Sequence, residues 1–386
     1  MQGLSLFDDL KLRLSYGRTG NQDIGDYRSL ATLGSSSYLL SGGKVTGYSP
    51  TTLPNPDLKW ETTDEVNVGL DAELLHNRLL VTADAYNRKT NDLLYEVAVP
   101  ATLGVRSQLQ NIGNVENRGV ELSVNTVNLA GDFGWNSTLT LAWNRNEVKS
   151  IGEDTISVGP VGVGAGANQN PTVIKVGEPL NSFYGYVYEG MSAEGQPQYA
   201  DLDGDGQVNT ADQRIIGSAE PSYTGGFTNQ FTWRGFDLSV FLQFSVGNDI
   251  YNINRAMLTN NAGNANQLTD VLAAGNTGAD GIPMPRIGNS YDTRPSTLFV
   301  EDGTYLRGKN IRLAYTIPDR LLEGARFARL GSLQVYVSAQ NFFTSTDYTG
   351  FDPEVTAYAT SVLAQGIDFG TYPQTRQYTI GFNAGF

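Results

Sequence analysis

Strict alternation of apolar and polar residues over runs of about ten residues constrains this chain more than any other feature of its sequence. In the closing stretch "QYTIGFNAGF", Tyr378, Ile380, Phe382, Ala384 and Phe386 fall on one face of an extended strand. Thr379, Gly381, Asn383 and Gly385 fall on the other. A period of two is the mark of a strand with chemically different faces, since successive side chains point to opposite sides. The same pattern carries Leu10, Leu12, Leu14 and Tyr16, then Val66 to Leu74, Phe236 to Val246, and Leu333 to Ala339. Runs this long match the roughly ten residues that a tilted strand needs to cross a bilayer.

Strand by strand, a soluble sandwich would show the same pattern, with the apolar faces turned into a core. Connection lengths separate the two architectures. Tight links occur at "LLHNRL" (Leu74 to Leu79), "LAGDFGW" (Leu129 to Trp135) and "WRGF" (Trp233 to Phe236). Between them lie long polar excursions at about 19–59, 92–112, 150–222, 251–302 and 345–372. Short and long connections alternate, so all tight turns share one rim and all long loops the other, as in outer-membrane barrels. The spacing predicts ten spanning strands, near 9–18, 60–75, 78–92, 112–128, 135–149, 223–233, 236–250, 303–316, 330–344 and 373–386. The fold class is therefore all-β, a transmembrane antiparallel barrel with long extracellular loops and short periplasmic turns.

Composition supports this reading and closes other routes. The chain has 386 residues with 44 glycines, 20 tyrosines and 16 phenylalanines, a vocabulary of strands and turns, and only 17% charged residues. It has no cysteine, which excludes disulfides and thiolate metal sites. The net charge of -14, with no run of lysine or arginine, argues against nucleic acid as a partner. No run approaches the length of a membrane-spanning helix, which leaves strands as the means of crossing. The start "MQGLSLFDDLKLR" lacks the basic and apolar regions of a secretory signal, so an exported chain would have its natural beginning upstream of Met1.

Ionisable residues fall on the alternating polar faces, among them Lys11, Arg13, Asp71, Glu73, Asp84 and Glu121. Each would carry a heavy desolvation cost in a dry core, so they imply a wet interior. A wide lumen needs more strands than a small barrel, so the ten are expected to be part of a larger one. Trp60, Trp135, Trp143, Trp233, Tyr86, Tyr315 and Phe386 are the candidates for aromatic girdles at the headgroups, although aromatic residues favour strands in any case. Counting rims places "SFYGYVYEGM" outside the bilayer, as a loop hairpin with "QPQYAD". The glycine-rich "VGPVGVGAGANQNP" is followed by no Lys-Ser or Lys-Thr pair, and reads as a flexible loop rather than a phosphate cradle.

One local constellation has metal spacing. In "DLDGDGQVNTAD", Asp201, Asp203 and Asp205 stand at positions 1, 3 and 5 of a calcium loop and Gly206 supplies the turn at 6. Gln207 offers its carbonyl at 7, Asn209 sits at 9 and Asp212 closes at 12. The closing residue is Asp rather than Glu and no long helices flank the loop, so a structural calcium clip fits better than a switch. An Asp/Gly turn that binds nothing has the same composition. No catalytic set emerges: His76 is the single histidine and lies in a tight turn. The neighbouring carboxylates Glu61, Asp64 and Glu65, or Glu301 and Asp302, are what an acidic chain shows by chance. Nothing points to an enzyme.

Together, "LRLSYGRTGNQDIGDY", "NPDLKWETTDEVNVGLD", "NIGNVENRGVELSV", "VGEPLNSFYGYVYEGM", "DLDGDGQVNTADQRIIG", "FDLSVFLQFSVGNDIYN" and "LQVYVSAQNFFTSTDYTGFDPEV" resemble the SusC/RagA-type TonB-dependent outer-membrane transporters. The likeness runs in order along the whole chain. It implies that residues 1–386 are the C-terminal part of a 22-stranded barrel, without its plug, first strands and TonB-contacting region. It further implies import of oligosaccharides or peptides across the outer membrane of a Gram-negative, Bacteroidota-like bacterium. A SusD-like surface lipoprotein would act as lid, outer-membrane lipid would surround the barrel, and TonB would be reached only through the missing N-terminal region. Phe386 would then serve both as girdle residue and as the signal read by the assembly machinery. The alternatives are a passive pore, or a barrel-anchored surface glycan-binding protein without energised import. Tyr291, Tyr348, Tyr358 and Tyr372 are loop aromatics that either stack on sugar rings or pack the loops together.

Overall fold

The computed structural model describes residues 7–21, 26–105, 107–152, 155–158, 171–193, 195–259, 266–272, 293–324, 331–357 and 364–385. Ten strands form a single antiparallel sheet: β1 (Phe7–Asn21), β2 (Glu61–Leu74), β3 (Leu79–Ala98), β4 (Ser107–Leu129), β5 (Phe133–Ser150), β6 (Tyr223–Trp233), β7 (Phe236–Val246), β8 (Tyr305–Thr316), β9 (Ser332–Thr346) and β10 (Gln377–Gly385). Each strand pairs with its neighbours in sequence, so the sheet is an uninterrupted meander. All ten expected strands are present. β1 and β10 remain edges, because the sheet does not close on itself.

β3 and β4 run further than the sequence suggested. The stretch 92–112, expected as a polar excursion, is mostly strand: pairing continues from Leu93↔Gly113 to Ala98↔Ser107 after an irregularity that releases the register between Thr90 and Leu93. A bulge of this kind lets a ladder bend and continue, which no periodicity count foresees. The link from β2 to β3 is tight because Leu75, His76 and Asn77 all adopt left-handed backbone angles. Arg234 and Gly235 do the same between β6 and β7. On that rim, only the link from β8 to β9 is longer, and it carries a short helix, α1 (Asp319–Gly324).

The two faces of the sheet differ as the alternation requires. On the outer face Leu12 and Leu14 are 74% and 77% exposed, and Ile380 and Phe382 are 85% and 72% exposed. Register aligns these into a continuous belt, for example Leu14↔Val68, then Val68↔Ala85, Ala85↔Val120 and Val120↔Trp143. An apolar surface so large would be intolerable in water, and it matches the lipid-facing band of a barrel. At the rim of tight turns the belt ends in aromatic pairs: Trp135 on Phe231 at 5.8 Å, Phe133 near Phe231 at 6.2 Å, and Phe236 on Tyr315 at 4.6 Å. Trp135, Trp233 and Tyr315 therefore join a girdle at this rim, and Trp143 marks the belt's opposite limit.

Two girdle candidates lie elsewhere. Tyr86 points inward: its hydroxyl donates to Asn144 Oδ1 at 3.0 Å, and its ring lies so close over Gly119 that a Cβ there would collide with it. Register explains this, since Tyr86 pairs with Asn67 and Gly119 on the polar parity. Trp60 precedes β2 and is not in the sheet. Phe386 lies outside the described residues, as do Tyr291, Tyr358 and nearly all of "VGPVGVGAGANQNP".

Candidate functional site

The inner face is polar and ion-paired. Arg13 on β1 uses both sides of its guanidinium: Nε donates to Asp71 Oδ2 at 2.8 Å and Nη2 to Asp84 Oδ2 at 2.8 Å. Asp71 and Asp84 come from β2 and β3, so one arginine joins three adjacent strands. Arg88 pairs with Glu65 at 2.8 Å, and Arg312 lies over the Tyr336 ring at 4.5 Å. Planar forks that meet carboxylates on two strands hold those strands while remaining compatible with a wet lumen. This bears out the expectation for Arg13, Asp71 and Asp84, which the alternation had placed inside.

Above that face the long excursions merge into one layer. Phe183 and Ile367 are fully buried, and with Tyr251, Ile253, Leu298 and Phe299 they form a core drawn from three different loops. A short parallel pairing, Tyr251↔Ile367 and Asn252↔Asp368, binds two of the loops through their backbones. Tyr348 is buried and donates to Asp368 Oδ2 at 2.7 Å; burial first, then this bond to a carboxylate, raises its pKa well above that of an ordinary tyrosine. It packs loops together rather than meeting ligand. Tyr372, by contrast, is 82% exposed, and Phe351 is 86% exposed. The segments bearing these two rings are tied together, since Gln374 N donates to Asp352 Oδ2 at 2.9 Å.

The loop layer is also latched to the barrel. Arg307 on β8 is fully buried, pairs with Asp352, and donates from Nη1 to Glu354 Oε2 at 2.8 Å. Glu301, set aside as a catalytic candidate, ties loop to loop instead: it accepts from Thr349 N at 2.9 Å, from the Thr349 hydroxyl at 2.7 Å and from Asn252 Nδ2 at 3.0 Å. The expected loop hairpin forms in part. Tyr188–Met191 pairs with Pro197–Tyr199, whereas Ser182–Gly185 leaves that hairpin to pair with Arg214–Ser218 and Thr172–Lys175. Sequence composition could not divide the stretch, because both halves have strand residues and only the loop core decides their partners.

In the calcium-like loop the structure brings together Asp201, Asp203 and Asp205, whose nearest carboxylate oxygens all lie within 4.8 Å of one another. Gly204 and Gly206 have φ of 76° and 83°, the left-handed turns that let three alternate side chains converge. The Asp203 carboxyl is held down by the Asp205 N–H, but partial desolvation and the charges of Asp205, Asp212 and Asp201 outweigh this and raise its pKa. Asp212 is used differently. It is buried, and its oxygens accept from Asn209 N and Leu202 N, each at 2.7 Å, which with its own desolvation opposed leaves its pKa lowered. It braces the loop from behind. Asn209 caps the following turn by accepting from Ala211 N at 2.8 Å, and its Nδ2 lies 3.4 Å from the Gln207 carbonyl.

A family model described as the β-barrel of TonB-dependent receptor-like proteins matches residues 3–384. The chain belongs to the TonB-dependent receptor family. It is 36% identical over 403 residues to TonB-dependent receptor P3 of Formosa agariphila, covering 97% of this chain and 39% of that receptor. It is 31% identical to TonB-dependent receptor SusC of Bacteroides thetaiotaomicron, covering 100% of this chain and 38% of SusC. Among solved structures it is similar to the RagAB peptide transporter, with a TM-score of 0.84, 30% identity, and coverage of 100% of this chain and 41% of that one. This TonB-dependent receptor barrel thus spans about two fifths of the length of its relatives. It is SusC/RagA-like, and its place is the outer membrane of a Gram-negative bacterium. Receptors of this family are transporters and not enzymes.

Proposed function

We propose that this chain forms part of the barrel of a TonB-dependent importer that carries oligosaccharides or peptides across the outer membrane. The observation that carries the reading is the family match over 3–384 on a sheet whose outer face is an apolar belt and whose inner face is ion-paired and wet. A polar wall presents hydrogen-bonding groups to a hydrated solute, and the fused loop layer above it offers the exposed rings of Phe351 and Tyr372 as a stacking surface. Likeness to a peptide transporter favours peptides as cargo. A SusD-like lipoprotein above the loops and TonB below, reached through the rest of the receptor, complete the assembly. The test is uptake of labelled oligopeptides and oligosaccharides by cells with and without the gene, before and after an uncoupler collapses the proton gradient. Energised import stops with the uncoupler; uptake that continued unchanged would mean a passive pore.

The loop 201–212 is proposed to hold one structural calcium ion. Three hard carboxylate oxygens already converge at Asp201, Asp203 and Asp205, with the Gln207 carbonyl and Asn209 beside them, which suits an oxygen-preferring dication. Asp212 would act by bracing the loop rather than by closing the shell. Calorimetric titration should show calcium binding that an Asp203→Ala, Asp205→Ala variant loses; binding retained by that variant would remove the assignment.

A further inference from the structure

Just above the apolar belt, on the same outward parity and toward the rim of long loops, β1 to β5 carry a band of charge. At one height the register reads Arg18↔Asp64, Asp64↔Lys89, Lys89↔Glu116 and Glu116↔Glu147. These groups are largely matched. Arg18 pairs with Asp64 at 2.6 Å, and Lys149 lies 2.6 Å from Glu147 and 3.0 Å from Glu116.

One register step nearer the belt the matching is incomplete. Arg118 stands directly opposite Arg145 across β4 and β5, and the next outward pair is Val120↔Trp143. Like charges directly opposite each other on a sheet face are destabilising. Arg118 reaches Glu147 at 3.4 Å and Glu116 at 3.8 Å, whereas Arg145 makes no salt bridge among the described residues. Both side chains are exposed. Trp143 beneath them fixes the height: an exposed tryptophan at the limit of an apolar belt sits at the boundary between hydrocarbon and headgroups.

We propose that Arg118 and Arg145 together bind the phosphate of a phosphorylated lipid headgroup in the outer leaflet. Two guanidinium forks on adjacent strands present planar donors to one tetrahedral anion, and the anion removes the repulsion between them. Its acyl chains would lie on Val120 and Trp143. Counting the flanking Lys89 and Lys149 against Glu116 and Glu147 leaves the two arginines as the net positive charge of this patch, on a chain whose net charge is -14. The inference rests on the barrel's seat in the membrane and not on what it carries, so lipid retention and solute uptake fail independently.

The experiment uses protein extracted from outer membranes in mild detergent, with heat-modifiable gel mobility confirming that each variant is folded. Native mass spectrometry then measures retained lipopolysaccharide, the phosphorylated lipid of that outer leaflet. Arg118→Gln with Arg145→Gln should lower retention on the order of tenfold, the scale of one bidentate charge-assisted contact. Lys11→Gln with Lys44→Gln removes the same charge elsewhere and should leave retention unchanged. Arg145→Glu should abolish retention and, because it turns a repelling pair into an attracting one, raise the unfolding temperature of the lipid-free protein. Retention by the double Gln variant equal to that of the parent, or displacement of the lipid by millimolar inorganic phosphate, would overturn the lipid assignment. A fall in lipid-free stability for Arg145→Glu would show that the arginine pair carries no strain to relieve.

Discussion

Arg307 shows how much a single side chain decides in this protein. It sits fully buried at the top of β8 with Asp352 and Glu354 as partners and with its guanidinium 5.3 Å from the Tyr305 ring, while its Nε finds no partner among the described residues. A buried ion pair is weak evidence of net stability, but breaking one leaves a stranded charge, which costs about 3–5 kcal/mol. Arg307→Met should therefore release the segment around Asp352 from the barrel while the strands persist. Hydrogen exchange would show lost protection at 348–356 with β8 and β9 unchanged; retained protection there would mean the latch lies elsewhere. Nothing in the sequence marked Arg307, since its partners lie 45 and 47 residues downstream and no local spacing links them. Arg13 was legible as an inward residue from alternation, yet its two carboxylate partners were not, because they depend on the register of three strands.

At the scale of the strand, orientation is the property that matters, and β9 offers a direct check. Val337 faces outward and is 48% exposed, while Ser338 faces the polar side. An arginine facing the middle of the bilayer costs roughly 2–4 kcal/mol, whereas the wet inner face accepts one with little penalty. Val337→Arg should thus lower barrel stability in a denaturant titration from lipid vesicles by that amount, and Ser338→Arg by much less. The reverse order would turn the sheet inside out. Strand identity was legible because the period of two persists over most of each strand. Strand length was not: β3 and β4 continue past a break in register at Thr90 to Leu93, where the alternation slips and the sequence reads as loop.

For the whole molecule, the open sheet sets the behaviour. β1 and β10 present unpaired backbone along Phe7–Asn21 and Gln377–Gly385, beside an outer face that is apolar for most of its height. Exposed edges and greasy faces together drive association. Expressed by itself, the chain should be monodisperse only in detergent, as read by light scattering. A monodisperse species in plain buffer with a cooperative melt would fit a soluble module instead.

The amino-acid order alone determined that this is a sheet with one oily and one wet face, that tight turns and long loops occupy opposite rims, and that three aspartates share a turn. These are local facts, set by a two-residue period and by spacing within a dozen positions. The tertiary structure decided what register and loop packing decide. Tyr86 turns inward over Gly119, Asp212 braces its loop through backbone amides, three distant loops share one core, and Arg118 meets Arg145 at the edge of the belt. Each of those depends on which residues of separate strands and loops come opposite one another, and that is set by backbone pairing and burial across the whole sheet.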